Sequence, residues 1–261
     1  MTEDKINELT NDGYTIVPSV VPSEWITKLS TEMDKCFLIH KQIQLKNNND
    51  IVTDGVALHV LLNSSIFVEF LDFLIELGLI EFLENNFFKS NCILNSLSAL
   101  NNLPNQPNFS SVVHRDLRFY SGDLPVMLNC LVMVDDFTID NGGTYLLPKS
   151  HLEERKPTDS EFFRDAKQAT GRAGDILIFN ANVWHASAPN STDKDRRAIP
   201  FTVSRSFIKQ LLDYPRALGY SRMEDFSDRM QQFLGYHSRV PASLEEWYQP
   251  LHARFYRKNQ D

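Results

Sequence analysis

What this chain lacks narrows its class before any motif is read. Its three cysteines (Cys36, Cys92 and Cys130) are scattered, none in a C-x-x-C pair, and the odd count argues against a disulfide framework. There is no basic excess. The 26 Lys and Arg against 34 Asp and Glu leave a formal charge of −8, which speaks against nucleic acid or an anionic membrane as the main partner. No hydrophobic run approaches a membrane span, since the most apolar stretch, 66–83, is interrupted by Glu69, Asp72, Glu76 and Glu81. The opening Met1-Thr2-Glu3-Asp4-Lys5 is polar and acidic, without the apolar centre of a secretory leader, so reduced thiols in the cytoplasm are the expected setting. Internal repeats and low-complexity tracts are absent as well.

What is present can bury a large core. The 261 residues are 42% hydrophobic, with 18 Phe and 3 Trp, a composition suited to packing around an aromatic-lined cavity. A single domain over 1–261 is expected, with a helical N-terminal part to about 90, a β core over about 91–207 and a helical tail over about 208–261. Residues 2–12 read as a helix and Tyr14–Val17 as a strand. Ser23 is placed as the N-cap of a helix reaching about Gln44, with Leu29, Met33, Cys36 and Phe37 as its inner stripe. Residues 46–50 read as a polar loop. The acids of 66–83 recur among Phe and Leu at helical spacing, which predicts one amphipathic helix over a core. Strands dominate from Asn91, with turns at 101–105 and 140–143, and Ser243 and Glu246 read as a capping box before Trp247. Helices before and after a block of short strands suggest a mainly β fold with flanking α. The specific expectation is a double-stranded β-helix, a cupin-like jelly-roll barrel buttressed by N- and C-terminal helices.

The residues that carry chemistry are His114-Arg115-Asp116, Trp184-His185 and Arg196. The flanks Ser110–Val113 and Leu117–Tyr120 have β character, and residues two apart on a strand share a face, so an H-x-D triplet aims an imidazole and a carboxylate at one point. His185 follows the turn Gly171–Asp175 and the apolar strand Ile176–Phe179, and brings in a second imidazole. Two His and one carboxylate are the facial ligand set of non-haem Fe(II) oxygenases; the same ligands also suit Zn²⁺ in a hydrolase. Arg196, eleven positions past His185, can supply a fixed cation for the carboxylate of an organic acid cosubstrate. Arg197 is its rival, because alternation turns only one of the two inward. Asn129, a polar side chain in the otherwise apolar stretch 126–134, is a further candidate for cosubstrate contact. On the same strand as the triplet, Arg118 and Tyr120 share the face of His114 and Asp116. An inward arginine needs an anion, either from a substrate or from a protein acid such as Asp123 or Asp135. His40, His59, His151, His237 and His252 lack partners at ligand spacing and read as structural or surface residues.

From His114 to Arg205 the chain resembles the phytanoyl-CoA dioxygenase-type (PhyH-like) family of Fe(II)/2-oxoglutarate oxygenases. The matching pieces are His114-Arg115-Asp116, Asp135-Asp136-Phe137-Thr138, Asp140-Asn141-Gly142-Gly143-Thr144, Leu147-Pro148-Lys149-Ser150-His151, the stretch 174–179, Trp184-His185-Ala186-Ser187 and Arg196-Arg197-Ala198, with order and spacing intact. Residues 12–17 and 234–236 match more loosely. One departure is Lys149, where relatives often carry Gly. The resemblance implies His114, Asp116 and His185 as ligands of Fe(II) and selects Arg196 over Arg197 for the distal carboxylate of 2-oxoglutarate. It implies hydroxyl contacts to 2-oxoglutarate from Thr144 and Ser187. The implied reaction couples decarboxylation of 2-oxoglutarate to succinate, with O₂, to hydrogen abstraction from a C–H bond of a small-molecule substrate. Iron halogenases of related fold replace the carboxylate with Ala or Gly, so Asp116 favours hydroxylation or an outcome such as desaturation. Relatives act on acyl-CoA, free amino acids, osmolytes and natural-product intermediates. The acidic balance speaks against an extended CoA site, and Arg118 with Tyr120 beside it favours a small carboxylate such as an amino acid. Hydroxylation of an acyl-CoA or natural-product intermediate, and a non-catalytic cupin-like metal-binding module, are the other readings. Oligomeric state is not set by the sequence.

Overall fold

The computed structural model describes residues 2–49, 53–106, 110–250 and 253–254. His252 and Asp50 lie outside the described residues. Helix α1 (Glu3–Asn11) leads into strand β1 (Tyr14–Val17) and then α2 (Ser23–Lys46). Leu29, Met33 and Cys36 form the buried stripe of α2, with Phe37 half-buried beside them. The N-cap of α2 is Pro22 rather than Ser23, and no side chain caps it. After β2 (Val56–Ala57), the stretch read as one amphipathic helix is two, α3 (Ser65–Glu76) and α4 (Leu79–Leu83). Gly78 lies at φ +79°, a left-handed position that stops α3.

Strands β3 (Cys92–Leu97), β4 (Ala99–Asn102), β5 (Met127–Met133) and β6 (Tyr145–Leu146) follow, so Asn101 and Asn102 belong to a strand and not to a turn. Helix α5 (Asp159–Asp165) separates them from β7 (Lys167–Gln168), β8 (Ile176–Asn180), β9 (His185–Ala186) and the long β10 (Arg196–Arg205). The tail holds α6 (Tyr214–Leu218), α7 (Asp228–Leu234) and α8 (Leu244–Trp247), joined by short 3₁₀ turns. At α8, Ser243 caps the Glu246 N–H, but the Glu246 carboxylate takes the N–H of Ala242 instead of closing the box on Ser243.

In the larger antiparallel sheet the order is β1-β8-β5-β10. The far edge of β10 meets β4 along 196–198 and β3 along 201–205, and β2 lies outside β4. In the smaller sheet β6 lies between β7 and β9. Period-two alternation gives the larger sheet two apolar faces. Leu128, Cys130, Val132, Ile178, Phe201 and Val203 pack with the helices, including Phe67, Phe70 and Phe233. Leu131, Met133, Leu177, Phe179 and Ala198 pack with Phe137, Leu146 and Val183 toward the smaller sheet. The fold is therefore mainly antiparallel sheet with flanking helices, and the described strands do not close into a barrel. All three cysteines are free and buried. No helix among the described residues is long and apolar enough to cross a membrane.

Candidate metal centre

His185 opens β9, and His114 faces it through two backbone hydrogen bonds, His114 N–H to the His185 carbonyl (3.0 Å) and His185 N–H to the His114 carbonyl (2.8 Å). That rung sets the two imidazoles side by side with ring centroids 4.2 Å apart. Each Nδ1 lies against a carbonyl two residues back, 2.7 Å from Val112 and 3.0 Å from Val183. A carbonyl only accepts, so each Nδ1 carries the proton and each Nε2 keeps its lone pair for a metal. Asp116 completes the group, with its carboxylate oxygens 3.7 Å from His114 Nε2 and 3.6 Å from His185 Nε2. The ligand atoms of all three lie within 4.8 Å of one another, a grouping able to hold a metal ion. Burial lowers the His185 imidazole below its ordinary value, which favours the neutral, ligating form; Asp116 opposes that shift.

The route by which Asp116 reaches the centre differs from the strand that the sequence suggests. Because β9 is two residues long, its free edge offers His114 one rung, and the chain then leaves the sheet. Residues 115–124 contain no strand; the Asp116 N–H is held instead by the Ala181 carbonyl at 3.2 Å. The shared inward face of Arg118 and Tyr120 does not form. Arg118 is exposed at the mouth of the cavity below the triad, with no hydrogen bond or ion pair to another described residue, so neither Asp123 nor Asp135 is its partner. Tyr120 is absent from the cavity wall and lines an adjoining surface depression that shares His114 and Arg118 with it, its ring 5.5 Å from the Arg115 guanidinium.

The triad opens into a cavity of about 770 Å³ whose walls come from both sheets. From β10, Arg196, Pro200 and Thr202, all even-numbered, line it. Arg196 is 5% exposed, its Nη2 donates to the Gly142 carbonyl at 2.8 Å, and its guanidinium lies 4.3 Å from the centre of the Phe137 ring. Its Nε has no hydrogen-bond partner among the described residues, and burial pushes the guanidinium down to about 10. Arg197 turns the other way, forking onto Asp135 at 3.0 Å through Nε and Nη2 and reaching Ser30 of α2. Gly142 sits at φ +88°, where a Cβ would collide with Asn102 Nδ2 and the Ala188 carbonyl, so glycine lets this turn close over Arg196. Thr144 and Ser187 line the same cavity.

Six residues along β10 from Arg196, or about 20 Å of strand, Thr202 pairs with Asn129 of β5 on one side and Ser96 of β3 on the other. Asn129 does not reach toward Arg196. Its amide donates to Asp116 Oδ2 at 2.7 Å, and its own oxygen accepts from the Thr202 hydroxyl at 2.8 Å. The sequence reading misses Thr202, although the two-residue period from Arg196 places it on the inward face. It also misses the service of Ser150, whose hydroxyl takes the Trp184 N–H at 2.9 Å and donates to the Leu147 carbonyl at 2.7 Å, bracing the chain just before His185. His40, His59, His151 and His237 each bond to a residue outside the triad.

Comparison with known proteins bears on this geometry. Residues 9–198 match the phytanoyl-CoA dioxygenase (PhyH) family. An uncharacterised protein of Mycobacterium tuberculosis is 39% identical over 165 residues, which cover 60% of this chain and 60% of that protein. A dioxygenase of Aspergillus fumigatus is 30% identical over 156 residues, covering 57% of this chain and 42% of that enzyme. A dioxygenase of Gibberella moniliformis is 28% identical over 162 residues, covering 58% and 51%. The matches thus span about two-fifths to three-fifths of the length of these curated relatives.

Proposed function

The chain belongs to the phytanoyl-CoA dioxygenase family, and from that premise we propose that it is an Fe(II)- and 2-oxoglutarate-dependent dioxygenase of a carboxylate-bearing small molecule. The observation that carries the proposal is one cavity holding both a His-Asp-His group and a buried arginine that forms no ion pair with an acid among the described residues. The donor set fits Fe(II): two neutral imidazoles and one carboxylate leave little net charge and keep coordination positions open. A zinc hydrolase or a non-catalytic metal module gives Arg196 no task, and a buried cation is costly without one.

His114, Asp116 and His185 would hold the iron. Arg196 would take the distal carboxylate of 2-oxoglutarate, with Thr144 and Ser187 lending hydroxyls. Phe137, against which the guanidinium lies, keeps water from one face of that pair and so strengthens it. With iron bound, 2-oxoglutarate and O₂ supply the oxidising power to remove hydrogen from an unreactive C–H bond, releasing succinate and CO₂. Two antiparallel layers sharing one apolar cluster support reading the fold as a double-stranded β-helix.

For the substrate, Arg118 at the cavity mouth supplies a cation with no partner among the described residues, which favours an anionic small molecule such as an amino acid. A second reading, a natural-product intermediate, is favoured by size, because about 770 Å³ suits a ligand larger than an amino acid. The test is anaerobic titration of the Fe(II)-loaded protein with 2-oxoglutarate. A weak visible charge-transfer band is expected, and its absence sinks the proposal. Substrate-stimulated succinate release across carboxylates and their neutral amides then separates the two substrate readings.

A further inference from the structure

We infer that Asn129, fixed by Thr202, is a positioning residue that commits Asp116 to the metal through one oxygen. The inference rests on the metal-centre reading above. Asp116 lies outside any strand, its side chain is 35% exposed, and its backbone N–H is held only by a long bond to Ala181. Asn129, by contrast, projects from the middle of the central strand β5 and is buried. Its amide nitrogen binds Oδ2 of Asp116, the oxygen nearer His185, and leaves Oδ1 near His114 for the metal.

An amide has two ends, and the flipped one would set oxygen against oxygen. The Asp116 carboxylate, which only accepts, takes the NH2 end, and Thr202, directly opposite in register, donates its hydroxyl to the Asn129 oxygen and so holds the amide in that pose. The chain Thr202 to Asn129 to Asp116 thus keeps the carboxylate from chelating with both oxygens. A chelating carboxylate would occupy a coordination position that the proposed reaction requires open.

The test is titration of metal-free protein with Co(II), followed by calorimetry and by ligand-field absorption, with no cosubstrate present. Asn129→Ala should weaken Co(II) binding about 10- to 100-fold and alter the absorption bands. Thr202→Val should weaken it less and alter the bands in the same direction, and Thr202→Ser, which keeps the hydroxyl, should restore both. In the double variant the loss should not exceed that of Asn129→Ala, because Thr202 acts through Asn129. Wild-type affinity and bands in folded Asn129→Ala overturn the inference, as do losses that add in the double variant. If Asn129→Ala does not fold, the Thr202 pair decides: equal behaviour of the Val and Ser variants overturns it. Asp116→Ala separates this idea from its premise, since undiminished Co(II) binding there removes the metal centre itself.

Discussion

Arg196 is a cation buried against Phe137, and its neighbour Arg197 is half-buried and saturated by Asp135. Substitution should therefore act on them with opposite sign. Arg196→Met should raise the KM for 2-oxoglutarate by tens to thousands of fold, about 2–5 kcal/mol for one side of a buried charge-assisted pair. The same change should leave the ligand-free protein as stable or stabler by about 1 kcal/mol, since it removes an unpaired buried charge. Arg197→Met should do the reverse, with little change in KM and a loss of about 1 kcal/mol as Asp135 loses its fork. Steady-state kinetics and denaturant melts read both quantities, and a larger KM effect at Arg197 would reverse the assignment. Loss of any one ligand, as in His114→Ala, Asp116→Ala or His185→Ala, should abolish 2-oxoglutarate turnover, because metal affinity and facial geometry fail together. Full activity in Asp116→Ala is incompatible with the proposed centre. At this scale the residue types are readable from the sequence, but the partner of Asn129 is not, since it lies in a segment whose path depends on the tertiary fold.

Short elements decide how those residues are held, and the turn 147–151 shows it at a non-glycine residue. Lys149 adopts φ +65°, and its N–H binds the Asp12 carbonyl at 2.8 Å, tying the turn to the loop between α1 and β1. A non-glycine residue in the left-handed region costs roughly 1–2 kcal/mol, against roughly 0.5–1 kcal/mol for the greater backbone freedom of glycine when unfolded. Lys149→Gly should therefore be neutral or stabilising by up to about 1 kcal/mol, or about 2–4 °C in Tm for a domain of this size. A clear drop in Tm by calorimetry would show that the lysine side chain contributes something beyond backbone conformation. Elsewhere propensity is overruled by pairing. Val112, Val113 and the alternating residues after Asp116 look like strand, yet the two-residue edge of β9 gives them one rung to pair with. Gly78 in turn breaks a continuous helical pattern because the chain there takes a left-handed step.

For the whole molecule, the half-buried His59 and the buried His151 set a direction for stability against pH. Burial holds His59 and His151 below the ordinary 6.5; His151 packs against Gly13, where a Cβ would collide with its ring. The unfolded chain binds protons at these positions more readily than the folded one. The stability they contribute is full above about pH 6.5 and is lost as the pH falls through their depressed folded values. The Tm of metal-free protein should therefore fall between about pH 7 and about pH 5, and less steeply in His151→Gln. A Tm that holds or rises over that interval in the wild-type protein refutes the account. The same packing that disfavours charge on these rings joins the N-terminal segment to the sheets, through the bond from His151 to the Thr10 carbonyl.

The sequence alone determined the composition of layers and the identity of the reactive groups. Local pattern marks β1, α2, β5 and β8, because a helix with one buried face writes itself as a period of 3.6 residues and a strand buried on both faces as a short apolar run. Spacing marks His114, Asp116, His185 and the Arg196–Arg197 pair, because ligand chemistry restricts residue type. Tertiary structure alone decided which groups meet. Asp116 arrives from irregular chain after a single rung, Arg118 stays at the rim, and Tyr120 faces a different depression. Thr202 and Asn129, 73 residues apart in sequence, become partners because β10 and β5 are neighbours in register. Local pattern records what one segment must bury, whereas strand register and loop path depend on edges supplied by segments far away in the chain.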